Sequence, residues 1–183
     1  MSLKSMAVYC GHSMGNNPNI VNDAERLGVL MAEHKIKLVY GAGNVGLMGV
    51  VADSVVRHQG RAIGISTPHI MARQEPAHEG IELEVKNTLM ERKARMIELS
   101  DAFCILPGGM GTLNEVSDIL VMHQIGETGL PVYFLNTDGY WSVFGEMLKQ
   151  MIRDGFVQSQ TEYNIHIYNS PDELITAYNA RFF

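Results

Sequence analysis

Cysteine is scarce in this chain: two residues in 183, Cys10 and Cys104, each inside or at the end of an apolar, strand-like run. That excludes a disulfide framework and makes reduced core thiols the expectation. No window of about 18 uninterrupted apolar residues occurs that would span a bilayer. The opening MSLKSMAVYC passes straight into a strand-like run, without the apolar centre and small-residue cleavage site of a signal peptide. A soluble cytoplasmic protein with no membrane partner is expected. Positive charge is short as well: Lys and Arg total 14 against 20 Asp and Glu, a net charge of -6. This argues against a nucleic-acid partner, which calls for a basic face, and leaves room only for a local basic pocket around one phosphate. The seven histidines fall in no H-E-x-x-H or Cys/His ligand spacing, so no metal is expected, nor any other cofactor. Repeats, low-complexity tracts and linkers are missing too, and the length fits one domain over residues 1–183.

What the chain does contain is an alternation of short β-branched runs with longer amphipathic ones, the pattern of a parallel sheet covered by helices. The expected fold is α/β, a doubly wound parallel sheet of six or seven strands flanked by helices. Strands are predicted at residues 6–10, 36–40, 61–65, 81–85, 102–106, 132–135 and 165–168. Between residues 20 and 34, Ala24, Leu27, Leu30 and Met31 form one stripe, while Glu25, Arg26 and Glu33 lie elsewhere. Further helices are predicted to begin near Val45, Thr88, Gly111 and Tyr140. The last helix has the clearest start: Ser170 as cap, Pro171 in the first turn and Glu173 placed to close a capping box. Doubly wound sheets bind ligands beyond the carboxyl ends of their strands, which directs attention to the loops after Cys10, Tyr40, Ile65 and Leu106.

Two of those loops are rich in glycine. In YGAGNVGLMG, Gly41, Gly43 and Gly46 satisfy the G-x-G-x-x-G spacing between a strand and a helix. A dinucleotide site also needs an acid about 20 residues on, at the end of the next strand, to hold a ribose hydroxyl. That strand reads RAIGIST and has none, so NAD binding is disfavoured. A turn that brings backbone close to another anion remains, with Gly41 and Gly43, together with Gly11 in the first loop, assigned to substrate binding. In PGGMGT, Gly108, Gly109 and Gly111 leave N–H groups free to converge on a phosphate at a helix N-terminus, where the macrodipole favours an anion. Thr112 adds a hydroxyl donor. The lysine and spacing of a Walker loop are missing, which disfavours ATP hydrolysis. Along the following helix, Thr112, Glu115 and Asp118 or Ile119 share a face. Glu115 then sits about one turn above the phosphate, at the height of a sugar.

The stretch NTLMERKARMIEL brings Arg92, Lys93 and Arg95 to the start of the helix that precedes the glycine strand. Neighbouring helical residues diverge by about 100°, so these cations cannot all face one pocket. Arg92 follows the stripe of Met96 and Leu99 and is predicted to point inward, where its planar fork suits phosphate or carboxylate.

At these motifs the sequence resembles the Lonely Guy family, the cytokinin riboside 5'-monophosphate phosphoribohydrolases. PGGMGTLNE matches P-G-G-x-G-T-x-x-E, and MERKARM matches the family's R-K element. VYCGHSMG, LVYGAGNVGLMG, SDAFCILPGG and GLPVYFLNTDGYW extend the likeness through most of the chain. The resemblance implies a Rossmann-like, usually homodimeric enzyme that hydrolyses the N-glycosidic bond of adenosine-type 5'-monophosphates, releasing free base and ribose 5-phosphate. It implies Arg92 and Glu115 as catalytic residues. Lys93, the segment of Gly108, Gly109, Met110, Gly111, Thr112, Leu113 and Asn114, and a glutamate before the R-K helix would bind substrate, with Asp118 one turn beyond Glu115. That glutamate is Glu75 or, with a shift of one residue, the position is Gln74. Departures from the family pattern are His12 for a serine, Ala42 for a glycine, Glu91 for the histidine before the R-K pair and Asn114 for a first glutamate. His12 and Asn114 bear on base preference; none removes the catalytic pair.

In such a reaction positive charge builds on the ribose as the base departs. Glu115 would stabilise that carbon or orient the attacking water, while Arg92 would bind the phosphate or polarise the site. The same fold and glycine loops also occur in non-catalytic molybdenum cofactor carriers, against which Arg92 and Glu115 together speak. The old motif label, lysine decarboxylase, calls for pyridoxal phosphate on a Schiff-base lysine and a larger fold, and no such lysine context is visible. The twelve methionines read as core filler and dimer contacts.

Overall fold

A computed structural model of the chain describes residues 4–73, 79–157 and 163–182. Seven strands, β1 (Ser5–Tyr9), β2 (Lys37–Tyr40), β3 (Ala62–Ser66), β4 (Glu82–Val85), β5 (Ala102–Ile105), β6 (Val132–Leu135) and β7 (Ile165–Tyr168), form one sheet in the order β4-β3-β2-β1-β5-β6-β7. Every neighbouring pair is parallel. All seven predicted strands are present, within a residue or so of their expected ends. The helices are α1 (Pro18–Glu33), α2 (Gly46–Arg57), α3 (Pro68–Met71), α4 (Leu89–Glu98), α5 (Met110–Gln124), α6 (Ser142–Arg153) and α7 (Pro171–Phe182), with a 3-10 turn at Thr137–Gly139. Only α3 goes beyond the helices predicted. At four residues it is too short to show a 3.6-residue period, and its start is set by Thr67, whose hydroxyl accepts from the Ile70 N–H.

The strand period of two divides the core. Met6 and Val8 of β1 pack with Ala24, Leu27, Val51 and Tyr178, on the α1, α2 and α7 side. Ala7 and Tyr9 face Met96, Val116 and Ile119, on the α4 and α5 side. Cys10 and Cys104 are free and buried, and burial pushes both thiols far up from their usual range. At the start of the last helix Ser170 caps as expected, its Oγ accepting from the Glu173 N–H, while the Glu173 carboxylate accepts from the Asn169 N–H, one residue before the cap, and not from Ser170 as a strict capping box would have it.

The chain order reverses between β1 and β5, which lie side by side in parallel. This is the switch point where open α/β sheets form their ligand crevice. Three loops are joined there by main-chain hydrogen bonds. The Gly11 N–H donates to the Pro107 carbonyl at 3.0 Å, and the Leu47 N–H donates to the Gly11 carbonyl at 3.1 Å. Gly46 sits at φ +63°, and a Cβ on it would lie on the His12 carbonyl. Both the left-handed backbone and the backbone overlap demand glycine. Gly46→Ala is therefore expected to lower unfolding free energy by at least about 2 kcal/mol, measured by chemical denaturation; a loss below about 0.5 kcal/mol would show that the loops are not locked in this way.

Candidate active site

The site begins with the cap of α4. Thr88 Oγ1 accepts from the Glu91 N–H at 3.1 Å, and Glu91 Oε2 accepts from the N–H of Asn87, just before the cap, at 3.0 Å, so that the two side chains together anchor the first turn. Glu91, one of the departures from the family pattern, thus has a structural task. The next residue, Arg92, turns inward and is 7% exposed. Its Nε donates to the Ile65 carbonyl at 2.8 Å, its Nη2 to the Gly41 carbonyl at 3.3 Å, and its Nη1 lies 3.5 Å from Glu115 Oε1. Gly41 has to lack a side chain, because a Cβ there would meet the guanidinium. Gly43 has a packing reason of its own: its missing Cβ makes way for the Met48 thioether. The G-x-G-x-x-G spacing is thus met by one glycine that admits Arg92, one that admits Met48 and one that locks against His12.

Glu115 is mostly buried on α5 beside Arg92. Burial pushes its carboxyl above the usual range, while Arg92 and then Lys93 pull the other way; burial prevails. Lys93 diverges from Arg92 as helical neighbours must. Its Nζ contacts Asp118 Oδ2 at 2.5 Å and Asn114 Oδ1 at 3.1 Å, whereas Arg95 turns to Glu84 and Glu98. Arg92, Lys93, Asn114, Glu115 and Asp118 are thus brought together by two helices on one side of the sheet.

The glycine loop leads into α5 at Met110, with Gly109 as a cap that supplies no side-chain hydrogen bond. The first-turn N–H groups of a helix have no acceptor within it. Thr112 is buried, and its hydroxyl fills the space that a Gly108 side chain would need, whereas Gly109 and Gly111 have open space where a Cβ would stand. Met110 is exposed and Leu113 half-buried. In front of this terminus lies a cleft of about 230 Å³ lined by Gly11, Ser13, Pro107, Gly108, Gly109 and Tyr140, among others. From Met110 to Glu115 the helix axis advances about 7.5 Å, and side chains lean back toward the N-terminus. The Glu115 carboxylate therefore stands about one turn beyond the helix start. Glu75 and Gln74 lie outside the described residues. Sequence reasoning missed the Ile65 carbonyl, which no side-chain motif reveals. It also missed Tyr140, whose GYW stretch carried the resemblance without suggesting a role.

The family model described as possible lysine decarboxylase matches residues 48–178. The chain is 37% identical over 173 residues to the cytokinin riboside 5'-monophosphate phosphoribohydrolase LOG7 of Arabidopsis thaliana, covering 94% of this chain and 79% of that protein. It is 33% identical over 175 residues to the cytokinin riboside 5'-monophosphate phosphoribohydrolase of Rhodococcoides fascians, covering 95% and 88%. Among solved structures, the molybdenum cofactor binding protein of Rippkaea orientalis superposes with a TM-score of 0.73 at 22% identity, covering 100% of this chain and 99% of that one. The molybdenum cofactor carrier protein of Chlamydomonas reinhardtii gives 0.72 at 17%, covering 98% of each chain. Those two likenesses, below 25% identity, speak to the fold. The glycine motif, the R-K element and the match to both phosphoribohydrolases over most of the chain agree, and the chain belongs to the cytokinin riboside 5'-monophosphate phosphoribohydrolase family.

Proposed function

We propose that this protein hydrolyses the N-glycosidic bond of adenosine-type nucleoside 5'-monophosphates, plain or N6-modified, to free base and ribose 5-phosphate. The observation that carries the reading is the buried Arg92–Glu115 pair, set one turn above an uncapped, glycine-lined helix N-terminus. The phosphate binds at the start of α5, and this remote binding energy holds the ribose against Glu115. As the base leaves, the Glu115 carboxylate stabilises the positive charge on the sugar and orients the attacking water. Arg92 already has the Ile65 and Gly41 carbonyls and Glu115 around it, which favours polarising and aligning the carboxylate over gripping phosphate. Lysine decarboxylation has no support in this arrangement: Lys93 is engaged by Asp118 and Asn114 and offers no free amine. A carrier without catalysis would share the fold, and the activity test separates the two.

The enzyme is further proposed to act as a cytoplasmic homodimer. In support, the α5–α6 side exposes Val121, Ile125, Val143, Met147 and, just beyond α6, Phe156, an apolar surface of the kind a second copy covers. Light scattering should give a mass near twice 20.3 kDa; a monomer at micromolar concentration would sink this part.

Incubation with AMP, GMP, CMP and isopentenyladenosine monophosphate should release free base from the adenine nucleotides, and no base from any of them would end the hydrolase reading. Glu115→Gln should lower kcat by about 10³-fold or more with nucleotide still bound; undiminished turnover would remove Glu115 from the mechanism. Because the working form is ionised and the folded-state pKa is raised, activity should fall with falling pH through a midpoint above 4.5. Stability runs the opposite way. A carboxyl with a raised folded pKa stabilises below its unfolded value, and that contribution is lost as pH rises through the folded pKa. Relative to wild type, Glu115→Gln should therefore gain stability with rising pH from about the ordinary carboxylate value upward, as read by urea denaturation; a pH-independent difference would contradict the shift.

A further inference from the structure

The lining of the cleft before α5 contains no lysine or arginine among the described residues. Beyond the hydroxyls of Ser13 and Thr112, an anion held there depends on main-chain N–H groups, and so on how the peptide planes of the glycine loop are turned. A Gly–Gly peptide is the easiest of all to turn, since neither residue has a Cβ to restrain it. Gly109 has nothing within 4 Å of where a Cβ would stand. One side chain restrains this peptide from outside the loop. The Tyr140 hydroxyl donates to the Gly108 carbonyl at 2.6 Å.

Tyr140 is itself held from several directions. The Asp138 backbone adopts φ +50°, and its carboxylate accepts from Asn17 Nδ2 and Asn19 Nδ2, both at 2.8 Å. Thr137 Oγ1 donates to Asp23 at 2.6 Å, and Asn136 Oδ1 accepts from the Trp141 N–H at 2.7 Å. The Tyr140 ring stands edge-on to buried Trp141, with centroids 5.0 Å apart. The turn after β6 is thus tied to the start of α1 and to the core, which leaves the Tyr140 hydroxyl as a fixed donor at the rim of the cleft.

We propose that Tyr140 is a positioning residue of the phosphate cradle: by holding the Gly108 carbonyl it fixes the Gly108–Gly109 peptide so that the Gly109 N–H faces the phosphate. In a trans peptide the carbonyl and the N–H point in opposite directions, and the described residues contain no cis bond. A carbonyl turned toward Tyr140 therefore turns the next N–H away from it. A flipped peptide would present oxygen to the phosphate in place of a donor. This inference rests on the nucleotide reading above.

The test compares wild type with Tyr140→Phe, which keeps the ring and removes the hydroxyl. Calorimetric affinities for AMP, adenosine and inorganic phosphate are the readout, with both proteins also carrying Glu115→Gln so that AMP is not consumed, while KM and kcat are read with Glu115 intact. Loss of one ordering hydrogen bond should weaken AMP and phosphate about five- to tenfold and leave adenosine unchanged, raising KM more than it lowers kcat. Equal weakening of AMP and adenosine would mean a merely structural role and would overturn the proposal, as would unchanged AMP affinity. Wild type that binds neither AMP nor phosphate would overturn the nucleotide reading itself. A second measurement needs no variant that folds: the Gly109 amide resonance should shift on adding phosphate to wild type, and an unmoved resonance also overturns the proposal.

Discussion

A guanidinium removed from water must have its charge met at fixed points, and Arg92 meets that demand with two strand-end carbonyls and one carboxylate. Much of the site follows from this. The carbonyls of Gly41 and Ile65 belong to the ends of β2 and β3, so the arginine ties α4 to two neighbouring strands. Gly41 has to be glycine because the guanidinium takes the space of its side chain. Glu115 has to come from α5 at a height that reaches Nη1, and that height follows from where the glycine loop starts the helix. The cap made by Thr88 and Glu91 sets the register from the other side, one residue before Arg92.

Most of the fold was legible in the sequence because its signals are local. Seven β-branched runs and their intervening amphipathic stripes predict seven strands and six helices, and Ser170 with Glu173 predicts a helix start to the residue. What escaped was either too short to carry a period, as with Pro68–Met71, or made by main chain. The inward turn of Arg92 was readable from its place in line with Met96, since both are buried. The carbonyls that receive it were not, because a carbonyl has no letter in a sequence. The G-x-G-x-x-G loop shows the opposite hazard. Its spacing suggests a phosphate turn, while its glycines also answer to Arg92, Met48 and the His12 backbone. Asn114 and Asp118 were legible as polar positions on α5, yet only the fold shows that both converge on Lys93.

The two halves of the proposed site work by different electrostatics. Among the described residues no lysine or arginine lines the cleft at the start of α5, and the proposed attraction for an anion comes from oriented N–H dipoles. One turn further in, a largely buried arginine offsets only part of the burial that favours the neutral form of the Glu115 carboxyl. Neutral dipoles in front and a restrained carboxylate behind suit a substrate that is anionic at one end and becomes cationic at the reacting carbon. The likeness to molybdenum cofactor proteins concerns the scaffold shared by these chains. The chemistry proposed here depends on Arg92 and Glu115 of this chain.

The main-chain lock among Gly11, Gly46, Leu47 and Pro107 has a consequence for how such an enzyme can change over generations. Because the floor of the crevice is held by carbonyls, N–H groups and missing side chains, its shape depends little on the side chains around it, with Tyr140, which holds the Gly108 carbonyl, as the exception. Positions such as His12, Met110 and Asn114 can be exchanged without loosening the floor beneath them. New preferences for the departing base can therefore arise by single substitutions at the rim, while the glycines below admit almost none.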